Sequence, residues 1–175
     1  LQENAAVAVH PDLEYGEDQL GDRRIILATA RASLPSSSAR AAPTFAELGP
    51  VRTFPGTVLL GRRYRRPLDV VALPDDRQSR LVVPGAFVTA EDGSGLVHMA
   101  PAFGADDFQA GVEHGLALVR PVAADGTFTG TSWPDIEGRL VTARETNDLI
   151  IARLKQDGRW HLTAPYEHTY PHCWR

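Results

Sequence analysis

The sequence predicts a mixed α/β domain: a barrel-like, mostly β sheet with two or three helices packed on it. Three observations carry that expectation. Short apolar runs recur along the chain, each closed by Pro or Gly, which is how short strands are punctuated. Two longer stretches, 106–114 and 144–157, carry apolar residues at helical spacing and each is followed by glycine. The 175 residues, 43% of them hydrophobic, suit one domain around one core.

The elements follow in chain order. In 5–9, Ala5, Val7 and Val9 share one face, small Ala6 and Ala8 lie between, and His10-Pro11 ends the run; this reads as a short buried strand. Residues 13–20 read as an acidic segment containing a turn. Residues 24–32, with Ile25, Ile26 and Leu27, suit strand or helix alike. The Pro- and Ser-containing stretch 34–43 reads as a loop, and 44–49 as one helical turn stopped by Gly49. Strands are expected at 53–60 and 64–72, joined at Gly61, and at 80–83, 86–89 and 96–99. In 106–114, Phe108 and Val112 stand at i and i+4, with Gly115 placed as a C-terminal cap. In 144–157, Leu149, Ile150 and Leu154 supply the apolar face and Gly158 the stop. No internal repeat is visible.

Composition excludes several classes. With 18 basic against 22 acidic residues the net charge is −4, so nothing draws the whole chain toward nucleic acid, and any RNA contact must be local. No run approaches the roughly 18 apolar residues that span a bilayer. No basic region leads into an apolar one at the start, so no signal peptide is expected. The single Cys173 rules out an internal disulfide and suits a cytoplasmic protein. The opening Leu1-Gln2-Glu3-Asn4 starts mid-pattern, and residues 1–175 read as one domain cut from a larger chain.

The most informative stretch runs from Gly93 to Phe108. It joins a Gly93-Ser94-Gly95 turn, the apolar run 96–99 with His98 in it, Ala100-Pro101-Ala102-Phe103-Gly104, and the acids Asp106 and Asp107. A strand that delivers polar groups to a loop, followed by a helix opening on acids, is a common way to hold a small polar site on a rigid frame. From the residues alone, an acid at 106 or 107 caps the following helix, and His98 is a half-buried histidine satisfied by a carbonyl.

This stretch resembles the signature of the editing domain, a connective-peptide insertion, of class I isoleucyl-tRNA synthetases. Further similarities run along the chain: Asn4 to Pro11, then Gly56, Leu60, Gly61, Tyr64 and Pro67, then Asp125-Gly126-Thr127-Phe128, and finally Tyr170-Pro171-His172-Cys173-Trp174-Arg175. The resemblance implies hydrolysis of valine wrongly esterified to isoleucine tRNA, and of valyl-adenylate as a second substrate. Isoleucine exceeds valine by one methylene, worth only about 1–3 kcal/mol in an apolar pocket; that is the known limit for this discrimination, not a result from this sequence.

The same resemblance assigns roles. Asp107 binds the α-ammonium of the aminoacyl group, a charge-assisted pairing, and Asp106 is left as the cap. His98 helps form the pocket wall that excludes isoleucine and orients substrate or water. Asn4 lies near the substrate ribose and water. Gly93, Gly95 and Gly104, with Phe103, shape the substrate side, although hairpin punctuation explains the glycines equally well. Arg62, Arg63, Arg65 and Arg66 meet the phosphates of the acceptor end, or keep a solvated strand edge soluble.

His172 and Cys173 are too few to close a tetrahedral metal site, so no metal or other cofactor is expected here; ATP, Mg and Zn belong to the parent enzyme. The family's threonine-rich loop, Trp-Thr-Thr-Thr-Pro-Trp-Thr, would precede Leu1 and is not in this sequence. The implied partners are the acceptor end of tRNA(Ile), its valine moiety and the remaining synthetase domains, with the protein a monomer. Two rivals stand beside hydrolysis: a non-catalytic module that grips the acceptor end, and the editing domain of a valine-type enzyme.

Overall fold

The computed structural model describes residues 3–20, 22–32, 50–90 and 94–160. Six strands and three α-helices are found over this span: β1 (Ala6–Val9), β2 (Glu14–Leu20), β3 (Arg23–Ala28), α1 (Thr29–Ala32), β4 (Arg52–Pro55), β5 (Leu81–Pro84), β6 (Leu96–Met99), α2 (Ala105–Glu113) and α3 (Arg144–Gln156). The strands form two three-stranded sheets, ordered β5-β1-β6 and β3-β2-β4. The fold is mixed α/β as expected, but the sheets remain separate and no closed barrel forms from them.

In the first sheet β1 is central, parallel to β5 and antiparallel to β6. Its alanines suit that position, because small side chains let both faces be covered. Ala6 and Ala8 enter a core with Val83, Met99 and Ala110, whereas Val9 enters a second core with Tyr15, Ala28 and Phe54. Val7 is only half-buried, so the strand is buried by its alanines and Val9. A third core lies under α3, where Ile150 and Leu154 meet Leu68, Phe128 and Ile136.

Several expectations are corrected. Residues 14–20 form the middle strand of the second sheet rather than an acidic turn. Glu17 pairs with both neighbours: its Oε1 accepts from Arg24 (2.9 Å) and its Oε2 from Arg52 (3.1 Å). Residues 23–32 resolve as strand and then a helical turn. The strand expected at 53–60 ends at Pro55, which has no N–H to donate, and a 3₁₀ turn follows at Gly56–Leu59. Within 64–72 no strand forms; pairing is limited to Tyr64 N–H donating to the Arg80 carbonyl (3.0 Å) and an isolated bridge at Val71. Residues 86–89 are a turn, with Val88 N–H donating to the Gly85 carbonyl at 3.1 Å. The loop and turn read at 34–49 lie outside the described residues.

Both longer helices form, and Gly115 (φ 61°) and Gly158 (φ 64°) follow them in the left-handed region, as glycine stops do. On α2 the large apolar residues face outward and the small ones inward. Phe108 and Val112 are 51% and 65% exposed, and Ala110 and Gly111 are buried. A Cβ at Gly111 would stand 2.9 Å from that of Pro101, so only glycine lets the helix sit this close to the turn after β6. Among the described residues no helix is long and apolar enough to cross a membrane.

Candidate functional site

The site forms where β1 begins, β6 ends and α2 starts. His98 on β6 pairs with Val7 on β1. The ladder continues one step further as Ala5 N–H donates to the Met99 carbonyl (2.9 Å), which carries Asn4 in beside His98. Asn4 is 3% exposed. Its Nδ2 donates to the Ala6 carbonyl (2.8 Å) and stands 2.9 Å from His98 Nδ1, and its Oδ1 accepts from the Tyr64 hydroxyl.

This trio fixes where the protons are. Burial pushes the Tyr64 phenol up to about 12, so it stays protonated and donates. Its donation orients the Asn4 amide, oxygen toward Tyr64 and nitrogen toward Ala6 and His98. An amide nitrogen offers only hydrogens, so His98 Nδ1 is the acceptor and the network assigns the ring proton to Nε2. Protonating Nδ1 would set two donors face to face. His98 titrates below its ordinary value, chiefly through partial desolvation, with the charges of Glu3 and Asp107 acting in the opposite sense.

Asp107 sits in the first turn of α2, whose N-cap is Gly104. It is half-buried, and its Oδ2 accepts the N–H of Ala100 at 2.8 Å, tying the helix back to the residue after β6. A Cβ on Gly104 would lie 3.1 Å from Asp107 Cγ and 3.3 Å from Oδ2, so the glycine makes room for this fold-back. The other oxygen of Asp107 has no hydrogen-bond partner among the described residues. Asp106 lines a different cleft, of about 460 Å³, with His10 and Phe87.

The remaining sequence-named residues fall elsewhere. Gly95 (φ 75°) is a joint: its carbonyl accepts from the Tyr15 hydroxyl at 2.7 Å, and a Cβ there would meet that of Ala28 at 2.5 Å. Phe103 is exposed in the turn before α2. Arg62 Nε donates to the Val58 carbonyl (3.1 Å), and Arg66 is buried against Asp69 and the Val71 carbonyl. Arg63 and Arg65 line a cleft of about 430 Å³ with Tyr64, Arg80 and Arg159. Another cleft, about 470 Å³, lies along the exposed Phe108 and Val112. Asp107 lines none of these three clefts. Gly93, His172 and Cys173 lie outside the described residues. Among the described residues no group of three His, Cys, Asp or Glu is placed to hold a metal ion. Sequence reasoning named neither Tyr64, Arg80 nor Arg159 as a site residue. Tyr64 stood among the residues quoted for the family resemblance, but its link to Asn4 spans 60 positions and has no local signature.

The chain aligns along its whole length with isoleucine–tRNA ligases. That of Mycobacterium leprae (strain TN) is 41% identical over 183 residues, covering 100% of this chain and 16% of that protein. That of Thermoplasma acidophilum is 38% identical over 175 residues, with the same coverage. The chain is similar to one segment of the isoleucine–tRNA ligases. It spans about one sixth of the length of these relatives. No family model matches it. Among solved structures, "The crystal structure of GlLeuRS-CP1" shares the fold, with a TM-score of 0.64 at 16% identity over 94% of this chain and 79% of that one. The domain therefore has the same fold as that CP1 structure.

Proposed function

We propose that this domain is hydrolytic and clears valine from misacylated isoleucine tRNA. The observation that carries the reading is convergence. Asn4, 94 positions from His98 in sequence, comes to the end of the sheet from which the chain runs on to Asp107, with the proton of His98 assigned to Nε2 and one oxygen of Asp107 without a hydrogen-bond partner among the described residues. The α-ammonium of an esterified amino acid pairs with that carboxylate. His98 presents Nε2–H and ring surface as a wall against a longer side chain or as a guide for water. Water attacks the ester carbonyl carbon, the bond from that carbon to the ribose oxygen breaks, and the proton lost by water passes to that oxygen. The products are valine and tRNA with a free ribose hydroxyl. Positioning accounts for the rate in this scheme, and no side-chain nucleophile takes part. The acceptor end of tRNA(Ile), its valine and the rest of a cytoplasmic, monomeric synthetase are the corresponding partners, with residues 1–175 as one inserted domain and no cofactor needed for the step.

The test is deacylation of valine-charged isoleucine tRNA by the full-length polypeptide. Asp107→Ala should lower kcat/KM by about 10- to 100-fold, the worth of a hydrogen bond to a charged group. Valine release left untouched by that change defeats the reading. A second reading, an acceptor-end binding module without hydrolysis, draws on the position of Asp107 outside the three clefts. A full-length polypeptide that binds the tRNA and releases no valine would favour it.

A further inference from the structure

We propose that Tyr64 is a positioning residue for the hydrolysis: acting through Asn4, it holds His98 as a hydrogen-bond donor to the ester and keeps it from serving as a base. The proposal deepens the editing reading and rests on it. In the step set out above, the proton lost by water passes to the ribose oxygen, so no side chain has to take it. A neutral imidazole with its proton on Nε2 can only donate from that nitrogen, and Nδ1 is already spent on the Asn4 amide at 2.9 Å. His98 as a whole is exposed. With Nδ1 turned to buried Asn4, the Nε2 edge is the one left for a ligand.

The three side chains cross the end of the sheet from row to row. Segment 61–64 runs along the outer edge of β5: Gly61 N–H donates to the Val82 carbonyl (2.9 Å), Val82 N–H donates to the Arg62 carbonyl (2.9 Å), and Arg63 bridges to Leu81. The rows are then 61–64, β5, β1 and β6. Tyr64 stands in the first, Asn4 just ahead of the third and His98 in the fourth. Rows lie about 4.8 Å apart, so Tyr64 has to reach across about 10 Å. A phenol is long and stiff enough, and its hydroxyl keeps its proton up to about 12. The backbone fixes where it starts. Arg80 N–H donates to the Ala5 carbonyl (2.7 Å) and its own carbonyl accepts from Tyr64 N–H (3.0 Å), which ties Tyr64 to the neighbour of Asn4. Arg80 takes φ 58° in making both bonds, a left-handed conformation unusual for a residue with a long side chain.

Tyr64 thereby decides which form of the ring is available. It donates to Asn4 Oδ1, so the amide hydrogens face Nδ1. An imidazolium would set Nδ1–H against them, and the amide could accept it only by turning and giving up Tyr64 and the Ala6 carbonyl together. Beside partial desolvation, three charges reach the ring: the α-amino group at the start of the chain opposes its protonation, and the carboxylates of Glu3, just ahead of β1, and Asp107, on α2, favour it. Without the Tyr64 hydroxyl the amide is free to turn, its oxygen takes Nδ1–H, and Nε2 is left as a bare acceptor. That is the form of a base and no longer of a donor.

The experiment uses the full-length polypeptide and two signals. Exchange of the ring C2 hydrogen, read by mass spectrometry, gives the pKa of His98. Release of valine from valine-charged isoleucine tRNA gives kcat and KM against pH. In the unsubstituted polypeptide the His98 pKa should lie below about 6.5, and kcat should rise with pH through that same value. Tyr64→Phe should raise the His98 pKa, carry the acid limb of kcat upward with it, and lower kcat about 3- to 10-fold at neutral pH with KM nearly unchanged. His98→Gln keeps an amide N–H to donate and supplies no base. It should hold kcat within about tenfold and abolish the acid limb. In that background Tyr64→Phe should change kcat by less than about twofold, because glutamine has no ring proton to misplace. A loss on Tyr64→Phe that is equally large in the His98→Gln background makes Tyr64 a packing residue and overturns the proposal. A loss beyond about tenfold on His98→Gln gives His98 the part of a base and overturns it too. An acid limb that departs from the His98 pKa in the unsubstituted polypeptide does the same without any variant having to fold. Each of these results leaves the editing reading standing; a polypeptide that releases no valine at all defeats that reading and the role of Tyr64 with it.

Discussion

The two sheets treat buried polar groups in opposite ways. At the end of β5-β1-β6, buried Asn4 spends its amide on the Ala6 carbonyl, His98 and Tyr64. In the middle of β3-β2-β4, Asp18 is equally buried, but neither carboxylate oxygen has a hydrogen-bond partner among the described residues. A buried polar group with partners adds definition, here the assigned tautomer of a histidine; one without partners only opposes folding. Polar residues therefore mark a site in this fold when their hydrogen bonds converge, and burial alone does not identify one.

The sheets are joined near Gly95, where Tyr15 and Ala28 of the second sheet contact the turn that leads into the strand bearing His98. The Tyr15 hydroxyl donates to the Gly95 carbonyl (2.7 Å), and Ala28 N–H donates to the Ser94 carbonyl (2.9 Å). Gly95→Ala should have the largest effect on stability. A left-handed alanine costs about 1–2 kcal/mol, and forcing a methyl to 2.5 Å from that of Ala28 costs about 1–3 kcal/mol more. The midpoint of denaturant unfolding reports it. A loss under about 0.5 kcal/mol would place the joint elsewhere.

Tyr64→Phe sharpens the contrast by making the first sheet resemble the second. Removing the hydroxyl leaves Asn4 Oδ1 buried without a partner, at a cost of about 1–3 kcal/mol. It also frees the amide to turn its oxygen toward His98 and accept Nδ1–H. The His98 pKa should then rise, as read by NMR titration of its ring proton. The sign for stability follows. His98 titrates below its ordinary value when folded, so the unfolded chain binds more protons. Its contribution is fully present above about pH 6.5 and is lost as pH falls through the lower folded value. Tyr64→Phe should shrink that acid-side loss, and an unmoved titration would sink the tautomer assignment.

Elements with local signals were legible in the sequence. β1, β6, α2 and α3 form where periodicity and the glycine stops after both helices place them. β2 was not legible, because the partners that make Glu17 acceptable in a strand sit on β3 and β4. The orientation of α2 was not legible for a related reason: close approach to Pro101 favours small Ala110 and Gly111 inside over large Phe108 and Val112. The barrel was overdrawn, since short strands specify pairing but not closure. Asn4, His98 and Asp107 could be named from a motif and a resemblance, and the structure brings them to one place. Their partners could not. Tyr64 reaches Asn4, and Arg159 reaches Arg66, only through tertiary folding.

Asp18→Asn works on the second sheet and should have the smallest effect, in the opposite direction. Burial pushes the Asp18 carboxyl above its ordinary range, so the folded chain holds this proton more tightly than the unfolded chain does. Stability is then greatest below the unfolded value of about 3.9 and declines as pH rises through the higher folded value. An amide at this position has no charge to desolvate, and its bulk is nearly that of the acid. The variant should be more stable at neutral pH by about 1 kcal/mol, and that acid-side slope should disappear from its unfolding profile. Unfolding measured from pH 4 to 7 separates the cases. If Asp18→Asn destabilises the domain at neutral pH, the carboxylate has a partner that only the charged form can hold, and the second sheet handles its buried acid as the first handles Asn4.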